Sequence, residues 1–368
     1  MKVISLTPGT THVSLADVAE PIVSAPGEIK IKVWHVGICG TDREQASGGR
    51  SDAPAGKTEL VIGHEMFGQV TEVGPAVTAA VKGDFGLFTV RRGCGKCLAC
   101  MNFRSDLCFT GKYTERGIKG ADGFQAEYVV DHESYFIPVP DSLVDVGVLT
   151  EPMSVAAKAI DEALSIQAAR IGNIVPSVNW LEGKRALIAG IGPIGLMAAF
   201  ALRLKGAEVI GLDIVDEDSL RPRLLKEIGG RYVDGRQVKT TNLDEEYGAA
   251  DFIFEATGIA QLQIQLIDVL AVNGIYVATG IPHGHRPITI MAGDIMKQLV
   301  LKNQVIVGSV NASLEHYKMA VANLEAARLR WPAALNQVIT KKVSYTDFAE
   351  VLHQHEPDEI KVVVDWTK

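Results

Sequence analysis

Residues 185–213 limit the possible folds of this chain more than any other part of the sequence. They read RALIAGIGPIGLMAAFALRLKGAEVIGLD. The short apolar run at 186–189 predicts a buried strand, and the glycine-rich turn after it leads into an apolar helix that Gly206 ends. A second apolar run at 208–212 then reaches Asp213. This order of strand, turn, helix, strand and acid predicts a βαβ unit that binds a dinucleotide.

The turn has the form G-x-G-x-x-G, and each glycine has a mechanical role in this interpretation. Gly190 permits the tight turn, Gly192 lets a pyrophosphate approach the backbone, and Gly195 lets the helix pack closely against the strand. The N-terminus of the helix attracts phosphate through its unpaired N–H groups and its dipole. The predicted cofactor residues here are Gly190, Gly192, Pro193, Ile194, Gly195 and Asp213. The alternative is an ordinary βαβ crossover whose glycines serve packing alone.

Asp213 also bears on the choice of cofactor. It follows the first glycine by about 20 residues, where an acid accepts hydrogen bonds from the adenosine ribose. A carboxylate there repels the additional phosphate of NADP, and Ile214 and Val215 supply no arginine to bind it. NAD is therefore favoured, although Arg221 and Arg223 lie close enough in sequence to fold back.

Composition and charge exclude several classes of protein. The 368 residues are enough for two domains with separate cores. A formal net charge of −8 argues against nucleic acid or an anionic membrane as the main partner. The opening residues, MKVISLTPG, contain no apolar signal region, and glycines and a proline interrupt the longest apolar run, 186–202. We therefore expect a cytoplasmic protein that acts on a small molecule.

Four of the five cysteines form one compact motif. Cys94, Cys97 and Cys100 are spaced C-x-x-C-x-x-C, and Cys108 follows after seven residues. Four thiolates make a closed tetrahedral zinc site, which stabilises structure because no ligand position is open for chemistry. An iron–sulfur cluster takes four cysteines as well.

Cys39, His64 and Glu65 are the residue types that bind zinc in a catalytic site, but the spacing alone does not establish one. An isolated cysteine is usually a small buried side chain, and an isolated histidine is usually hydrogen-bonded within the fold. Thr41 is a polar turn residue in that interpretation, whereas beside a metal its hydroxyl would relay a substrate proton.

The first part of the chain predicts a β-rich, barrel-like domain. The pattern EIKIKVWHV at 28–36 alternates apolar and polar residues, and the runs at 69–73, 123–130 and 136–139 predict further strands between glycine turns. Glu115 lies in a polar loop, where an exposed acid needs no function. Glu151 opens a helix, where an acid favours the helix dipole.

Eight short motifs occur over essentially the full length of the chain. They are GICGTDRE (37–44), GHE (63–65), TVRRGCGKCLAC (89–100) with Cys108, DGFQAEYVV (122–130), TEP (150–152), AGIGPIG (189–195), ATG (256–258) and GSVN (308–311). In these motifs the chain resembles the zinc-dependent medium-chain alcohol and polyol dehydrogenases, and within them most closely the archaeal-type glucose 1-dehydrogenases. The first, third and TEP motifs together are specific, whereas the glycine motif alone is not.

The resemblance implies an α/β fold with two domains. A GroES-like, β-rich catalytic domain would occupy residues 1–170 and carry a structural zinc lobe at about 91–110. A Rossmann domain with a doubly wound parallel sheet would occupy 171–310, and 311–368 would return to complete the catalytic domain. We take 171–183 as the linker, and His283 and His285 as loop residues rather than ligands.

The resemblance also implies a role for each of a set of site residues. Cys39 and His64 would bind the catalytic zinc, with Glu65 and Glu151 as ligands or exchanging carboxylates. Thr41, Glu65 and Glu151 would act in catalysis, and Thr41, Glu115, Glu151 and Asn311 would contact the sugar. Thr257, Thr279, Gly280, Ile281, Ser309, Val310 and Asn311 would lie along the cofactor, and Cys94, Cys97, Cys100 and Cys108 would hold the structural zinc.

The predicted reaction transfers a hydride from C1 of an aldose, most simply D-glucose, to NAD(P)⁺ and gives the lactone, in a homodimer or homotetramer. Some glucose dehydrogenases carry Asn-Arg-Arg where this chain has Asp213-Ile214-Val215, which supports NAD. Val90 and Val155 replace polar sugar contacts of some members. A polyol, galactose or L-threonine dehydrogenase on the same scaffold is therefore the alternative.

Two other classes of function compete with an enzyme. A nucleotide-binding redox sensor would need no open zinc site, so Cys39, His64, Glu65 and Thr41 argue against it. A zinc-ribbon protein that binds nucleic acid would use the basic residues around the cysteine motif, but the single motif and the acidic net charge argue against that.

Overall fold

The computed structural model describes residues 1–172, 178–282, 287–354 and 356–368. The loop prediction for His283 and His285, and part of the predicted linker including Pro176, lie outside these residues. The chain forms two compact units. Unit 1 contains Met1–Ser154, Asn311–Glu325 and Asn336–Lys368, and unit 2 contains Val155–Val310 and Ala326–Leu335.

The described residues form strands and helices with the following bounds. The strands are β1 (Lys2–Leu6), β2 (Val13–Asp17), β3 (Glu28–Ile38), β4 (Leu60–Val61), β5 (Glu65–Val73), β6 (Phe85–Phe88), β7 (Arg91–Arg92), β8 (Thr114–Arg116), β9 (Gly120–Ala121), β10 (Tyr128–His132), β11 (Phe136–Pro138), β12 (Arg185–Ala189), β13 (Glu208–Asp213), β14 (Arg231–Asp234), β15 (Ala250–Glu255), β16 (Leu270–Ala278), β17 (Val305–Gly308), β18 (Ile339–Ser344) and β19 (Lys361–Asp365). The α-helices are α1 (Gly40–Ala46), α2 (Leu98–Met101), α3 (Thr150–Ile171), α4 (Val178–Leu181), α5 (Pro193–Leu204), α6 (Leu220–Glu227), α7 (Leu243–Tyr247), α8 (Ala260–Gln265), α9 (Ala292–Leu301), α10 (Leu314–Arg330), α11 (Pro332–Asn336) and α12 (Phe348–His353).

Unit 1 is built around the long strand β3. In its largest sheet the order is β11-β6-β5-β3-β19-β18, and β10 also pairs with β3. Gly37 at the end of β3 lies opposite Glu65, and Ile38 lies opposite Val362 on β19. The register therefore brings the end of β3, the start of β5 and the start of β19 to one place in the unit.

Unit 2 contains a six-stranded parallel sheet in the order β14-β13-β12-β15-β16-β17. Numbered from β12, this is the order 3-2-1-4-5-6 of a doubly wound dinucleotide-binding sheet. After its first residue, β12 is buried throughout, as its continuous apolar sequence requires of a strand covered on both faces. None of the helices in the described residues has both the length and the apolar composition needed to cross a membrane.

The structure confirms most predicted elements and corrects one. The predicted strand at 186–189, the helix after the glycine turn and the strand at 208–212 correspond to β12, α5 and β13. The predicted strand at 123–130 is wrong in its first half, because only Tyr128–His132 is a strand. Phe124 and Ala126 are nevertheless buried, so an apolar loop segment imitated a strand pattern.

Candidate active site

The first site residue, Cys39, lies where β3 ends and α1 begins. Cys39 is the N-cap of α1: its Sγ accepts a hydrogen bond from the Thr41 backbone N at 3.2 Å, and its own backbone N donates to Asp42 Oδ2 at 2.9 Å. This capping box fixes the direction of the thiol, and it places Thr41 in the first turn of the helix rather than in an irregular turn. Burial raises the pKa of the Cys39 thiol.

His64 and Glu65 enter the same place because two glycines make room for them. Gly63 has φ +87°, and a Cβ on it would lie 2.5 Å from Gln125 Cγ. A Cβ on Gly37 would lie 2.1 Å from Glu65 Oε2. Glycine at both positions is therefore a condition for His64 and Glu65 to occupy these places.

The donor atoms of Cys39, His64 and Glu65 all lie within 4.8 Å of one another. Cys39 Sγ and His64 Nε2 are 3.1 Å apart, and His64 Nδ1 lies 3.6 Å from the buried carboxylate of Asp42. A thiol, an imidazole and a carboxylate are the donor types that hold zinc in proteins, so the three residues fit a zinc site. At 3.6 Å the Asp42 carboxylate lies beyond hydrogen-bond distance of His64 Nδ1, on the side from which a carboxylate orients a ligating histidine.

Lys361 is a residue at this site that the sequence did not identify. Its Nζ lies 2.8 Å from Glu65 Oε1, 2.6 Å from Glu65 Oε2 and 3.3 Å from the Ile38 carbonyl oxygen. Both side chains are at most 2% exposed. The register of β19 against β3 places Lys361 beside this buried acid, and no local sequence motif indicates that register.

Glu151 lies at the start of α3 and is also buried. Burial and the neighbouring Glu65 raise the pKa of Glu151 to about 7. Among the described residues, the set of converging donors contains Cys39, His64 and Glu65 but not Glu151. The structure therefore brings three of the four predicted catalytic ligands together and leaves the fourth nearby.

Two predicted sugar contacts lie against each other in unit 1. Asn311 Nδ2 donates to Glu115 Oε1 at 2.8 Å, and Asn311 Oδ1 accepts a hydrogen bond from the Ala312 backbone N at 2.7 Å. Asn311 has φ +62°, an uncommon backbone conformation that asparagine tolerates. Glu115 is thus part of an ordered pair and not an isolated loop acid.

The four cysteines of the compact motif form a second set of converging donors. Their sulfurs lie within 4.8 Å of one another, and Cys94 Sγ is 3.9 Å from Cys100 Sγ. Two sulfurs on a tetrahedral zinc with Zn–S bonds of about 2.3 Å lie roughly 3.8 Å apart, so these thiols fit a closed zinc site. Hydrogen bonds from Thr110 and from the backbone N of Lys96 and Cys97 lower the pKa of Cys94 to about 5.

The glycine turn of unit 2 has the predicted construction. A Cβ on Gly195 would lie 1.8 Å from the Gly190 carbonyl oxygen, and α5 begins at Pro193 with Gly192 as its N-cap. Asp213 Oδ2 accepts a hydrogen bond from the Ile191 backbone N at 2.9 Å. The acid at the end of the second strand is therefore held against the glycine turn.

Arg221 does fold back toward Asp213. Its Nη1 lies 3.9 Å from Asp213 Oδ2, while Asp213 Oδ1 accepts a hydrogen bond from the Ile214 backbone N at 2.7 Å. The side chain of Arg221 is only 15% exposed. A positive charge therefore lies beside Asp213, which is the outcome that the sequence left open for Arg221.

Glu255 organises the remaining predicted cofactor segments and was missed by the sequence analysis. Its Oε1 accepts hydrogen bonds from the Thr257 backbone N and the Gly258 backbone N, at 2.6 and 3.0 Å. Its backbone carbonyl oxygen accepts from Thr279 N and Gly280 N. A buried acid at the carboxyl end of β15 thus holds two predicted cofactor loops together, and an acid that directly precedes ATG was the signal for it.

The last predicted cofactor segment is Ser309–Asn311, of which Ser309 and Val310 belong to unit 2 and Asn311 to unit 1. Ser309 donates its backbone N to the Ala278 carbonyl oxygen at 3.0 Å, and the Val310 carbonyl oxygen accepts a hydrogen bond from Lys158 Nζ at 2.8 Å. Ile281 is 46% exposed. Asn311 belongs to unit 1, where it contacts Glu115.

Comparisons with known proteins agree over the whole chain. Residues 25–141 match the family described as "Alcohol dehydrogenase GroES-like domain", and residues 144–366 match "Glucose dehydrogenase C-terminus". The chain is 36% identical to a glucose 1-dehydrogenase of Methanocella arvoryzae and 38% identical to glucose 1-dehydrogenase 2 of Vulcanisaeta moutnovskia, in each case over 99% of both chains. The crystal structure of Haloferax mediterranei glucose dehydrogenase in complex with NADP, Zn and gluconolactone aligns with a TM-score of 0.88 at 29% identity over 99% of both chains.

Proposed function

Because this chain belongs to the zinc-dependent medium-chain dehydrogenases of the archaeal glucose 1-dehydrogenase type, we propose that it oxidises C1 of an aldose, D-glucose first of all, with NAD(P)⁺ as the acceptor. The observation that carries the proposal is the convergence of Cys39, His64 and Glu65 within 4.8 Å. In the other unit, a doubly wound sheet holds an acid against a glycine turn. An open metal set and a dinucleotide sheet are the two parts that such a reaction needs.

Two zinc sites are part of the proposal. Cys39, His64 and a carboxylate of Glu65 or Glu151 would hold the catalytic ion, and the four clustered cysteines would hold the structural one. When bound, the catalytic ion supplies Lewis-acid chemistry that lowers the pKa of the sugar hydroxyl. Lys361 Nζ contacts both carboxylate oxygens of Glu65, so the lysine charge would compete with a metal ion for this carboxylate.

The residues of the chain then orient the sugar and move one proton. Glu115 and Asn311 would hold sugar hydroxyls, and Thr41 would accept the proton of the C1 hydroxyl and pass it toward solvent. The hydride leaves C1 for the nicotinamide, so that aldose and NAD⁺ give lactone, NADH and one proton. Thr257, Thr279, Gly280, Ile281, Ser309, Val310 and the glycine-turn residues would position the cofactor.

The proposal assigns the chain to three segments. Residues 1–170 form the catalytic domain with its cysteine lobe, 171–310 form the cofactor domain, and 311–368 complete the catalytic domain. The compact units change at Ser154 and at Val310, and α3 spans the first of these points. Five free cysteines in the described residues fit a reducing cytoplasm as the location.

We propose a preference for NAD that tolerates NADP. Asp213 repels a phosphate on the adenosine ribose, whereas Arg221 at 3.9 Å offsets part of that charge. Replacing Arg221 with Met should lower kcat/KM for NADP and change that for NAD little. An equal loss with both cofactors would instead show that Arg221 only supports the fold.

We propose that the protein is a homo-oligomer in which copies pack against one surface of unit 2. Strand β17 is the last strand of the parallel sheet, and the adjoining part of the chain exposes large apolar side chains, among them Met296, Val300 and Leu301 on α9. A second copy of the same chain would cover both the open sheet edge and these side chains. Val300→Lys should shift the mass measured by light scattering toward the monomer, while an exposed control, Lys318→Ala on α10, should leave it unchanged.

The experiment that tests the function is NADH formation with D-glucose, before and after zinc chelation, with NADP measured alongside. Turnover that a chelator abolishes and zinc restores supports the proposal. Galactose, a polyol and L-threonine belong in the same assay, because a dehydrogenase for each of them is the alternative function on this scaffold. Cofactor binding with no turnover on any of these would instead favour a redox sensor.

A further inference from the structure

Arg91 occupies a position that neither catalysis nor zinc binding explains. It lies on β7 opposite Glu115 on β8, so the two side chains are on the same face of the antiparallel pair. Arg91 Nε and Nη2 donate to Glu115 Oε1 at 3.1 and 2.8 Å. The side chain of Arg91 is 6% exposed, and its guanidinium lies 4.0 Å from the centre of the Tyr113 ring.

The carboxylate of Glu115 is held by one of its two oxygens. Oε1 receives both hydrogen bonds from Arg91 and the third from Asn311 Nδ2. Within the described part of the chain, every hydrogen bond found at this carboxylate falls on Oε1. The group is therefore fixed in orientation while Oε2 remains available to a ligand hydroxyl.

The third guanidinium nitrogen of Arg91, Nη1, contacts the cysteine lobe. It donates to the Asp106 carbonyl oxygen at 2.7 Å. Asp106 lies between Cys100 and Cys108, in the short 3₁₀ turn Ser105–Leu107. The path of this turn depends on where Cys108 is held, because only one residue separates Asp106 from it.

We propose that Arg91 is a positioning residue that transmits the state of the four-cysteine lobe to the sugar-binding carboxylate of Glu115. The inference rests on the proposed function, since it takes Glu115 as a sugar contact. The lobe then has a role in substrate affinity in addition to stability. Metal in the lobe fixes the Asp106 carbonyl, that carbonyl fixes Arg91, and Arg91 fixes the direction of Glu115 Oε2.

The test is Arg91→Met, with Arg91→Lys beside it. Loss of charge-assisted hydrogen bonds of this kind should raise KM for the sugar about ten-fold or more, while kcat at saturating sugar and KM for NAD stay within about two-fold. Lysine keeps the charge but does not reproduce the planar fork that reaches Glu115 and Asp106 together, so Arg91→Lys should recover only part of the affinity. A fall in Tm with an unchanged sugar KM overturns the inference.

A matched control is available on the same strand. Arg92 is the next residue, and it pairs with Asp131 at 2.7 Å rather than with Glu115. Arg92→Met should lower stability and leave the sugar KM unchanged. Equal increases in KM for the Arg91 and Arg92 variants would mean that any damage to β7 has this effect, which also overturns the inference.

Coupling to the lobe is tested with a double-mutant cycle. Cys97→Ser should raise the sugar KM in the wild-type background and raise it no further in Arg91→Met. Independent, additive effects would overturn the coupling. Sugar affinity is measured without turnover as well, as the shift of Tm by D-glucose in the presence of NADH, and lobe metal is counted by zinc content.

The outcomes separate this inference from the proposed function. A wild-type protein that oxidises no aldose overturns both. An active wild type whose Arg91 variants keep the sugar KM overturns only the role of Arg91. If Arg91→Met is not recovered folded, Arg91→Lys and the Cys97→Ser cycle built on it decide the question in the same way.

Discussion

The two candidate metal sites in unit 1 are assembled in different ways. The four cysteines come from one short segment, residues 94–108, and lie half-exposed. Cys39, His64 and Glu65 come from the ends of two paired strands, and His64 and Glu65 are buried. The first set needs only a local loop, whereas the second exists only where the sheet has its native register.

The difference extends to the charges around each set. The carboxylate of Glu65 is paired with Lys361 in surroundings that exclude water, and Lys361 comes from the last strand of the chain. The cysteine set lies beside solvent, where hydrogen bonds rather than an ion pair tune the thiols. We infer that the buried set serves chemistry and depends on the whole unit, and that the exposed set stabilises one lobe.

The largest expected effect belongs to the buried set. Cys39→Ala should lower kcat with D-glucose about 10³-fold or more, because the several kcal/mol of Lewis-acid stabilisation are lost with the ligand. NADH binding should persist, because the glycine turn and Asp213 belong to unit 2. Turnover close to wild type would remove the catalytic assignment of Cys39.

The second largest expected effect is that of Lys361→Met on the stability of the fold. Removing one partner of a buried ion pair leaves Glu65 charged and unpaired, which should lower the free energy of unfolding by about 3–5 kcal/mol in denaturant titration. The matched control is Lys341→Met on the neighbouring strand β18. Lys341 contacts Glu350 and Glu356, which are 48% and 61% exposed, so its removal should lower stability far less than the removal of Lys361.

An addition to this experiment distinguishes the ion pair from simple packing. The double variant with Glu65→Gln and Lys361→Met removes both charges and should recover part of the lost stability. A single-variant loss equal to that of the Lys341 control would show that the buried pair contributes no more to stability than an exposed one.

Cys97→Ser tests the exposed set and should have a smaller effect. We expect the free energy of unfolding to fall by about 2–4 kcal/mol as the lobe loses its metal. The zinc content should drop by one equivalent, and kcat at saturating sugar should remain close to wild type. A kcat loss as large as that of Cys39→Ala would contradict the division between the two sets.

The sequence predicted what local patterns determine. The glycine turn with Asp213 and the cysteine motif each lie within one continuous segment. The βαβ unit and the cluster of four sulfurs could therefore be predicted from the sequence alone. The strand at 123–130 failed because burial of Phe124 in a loop produces the same apolar pattern as a strand.

What the sequence did not supply depends on contacts between distant segments. Lys361 lies 296 residues from Glu65 in the chain, and only the pairing of β3 with β5 and β19 joins them. Arg91 and Glu115 are joined in the same way by the pairing of β7 with β8. The roles of Glu115, Glu151 and Asn311 came from resemblance, and they stay predictions until variants are measured.

The smallest expected effect is a difference in thiol reactivity after metal removal. Hydrogen bonding lowers the pKa of Cys94 to about 5, so Cys94 is a thiolate from about pH 6 upward and its alkylation rate should change little between pH 6 and 8. Burial raises the pKa of Cys39, so its rate should be lower and should rise with pH throughout that range. At pH 7, peptide mass spectrometry after iodoacetamide should show Cys94 modified about ten-fold faster than Cys39.

The control variant is Thr110→Val, which removes the main cause of the lowered pKa of Cys94 and should make the alkylation rate of Cys94 depend on pH. Modification of Cys39 before Cys94 in the wild-type protein would contradict the difference in burial and charge between the two sets.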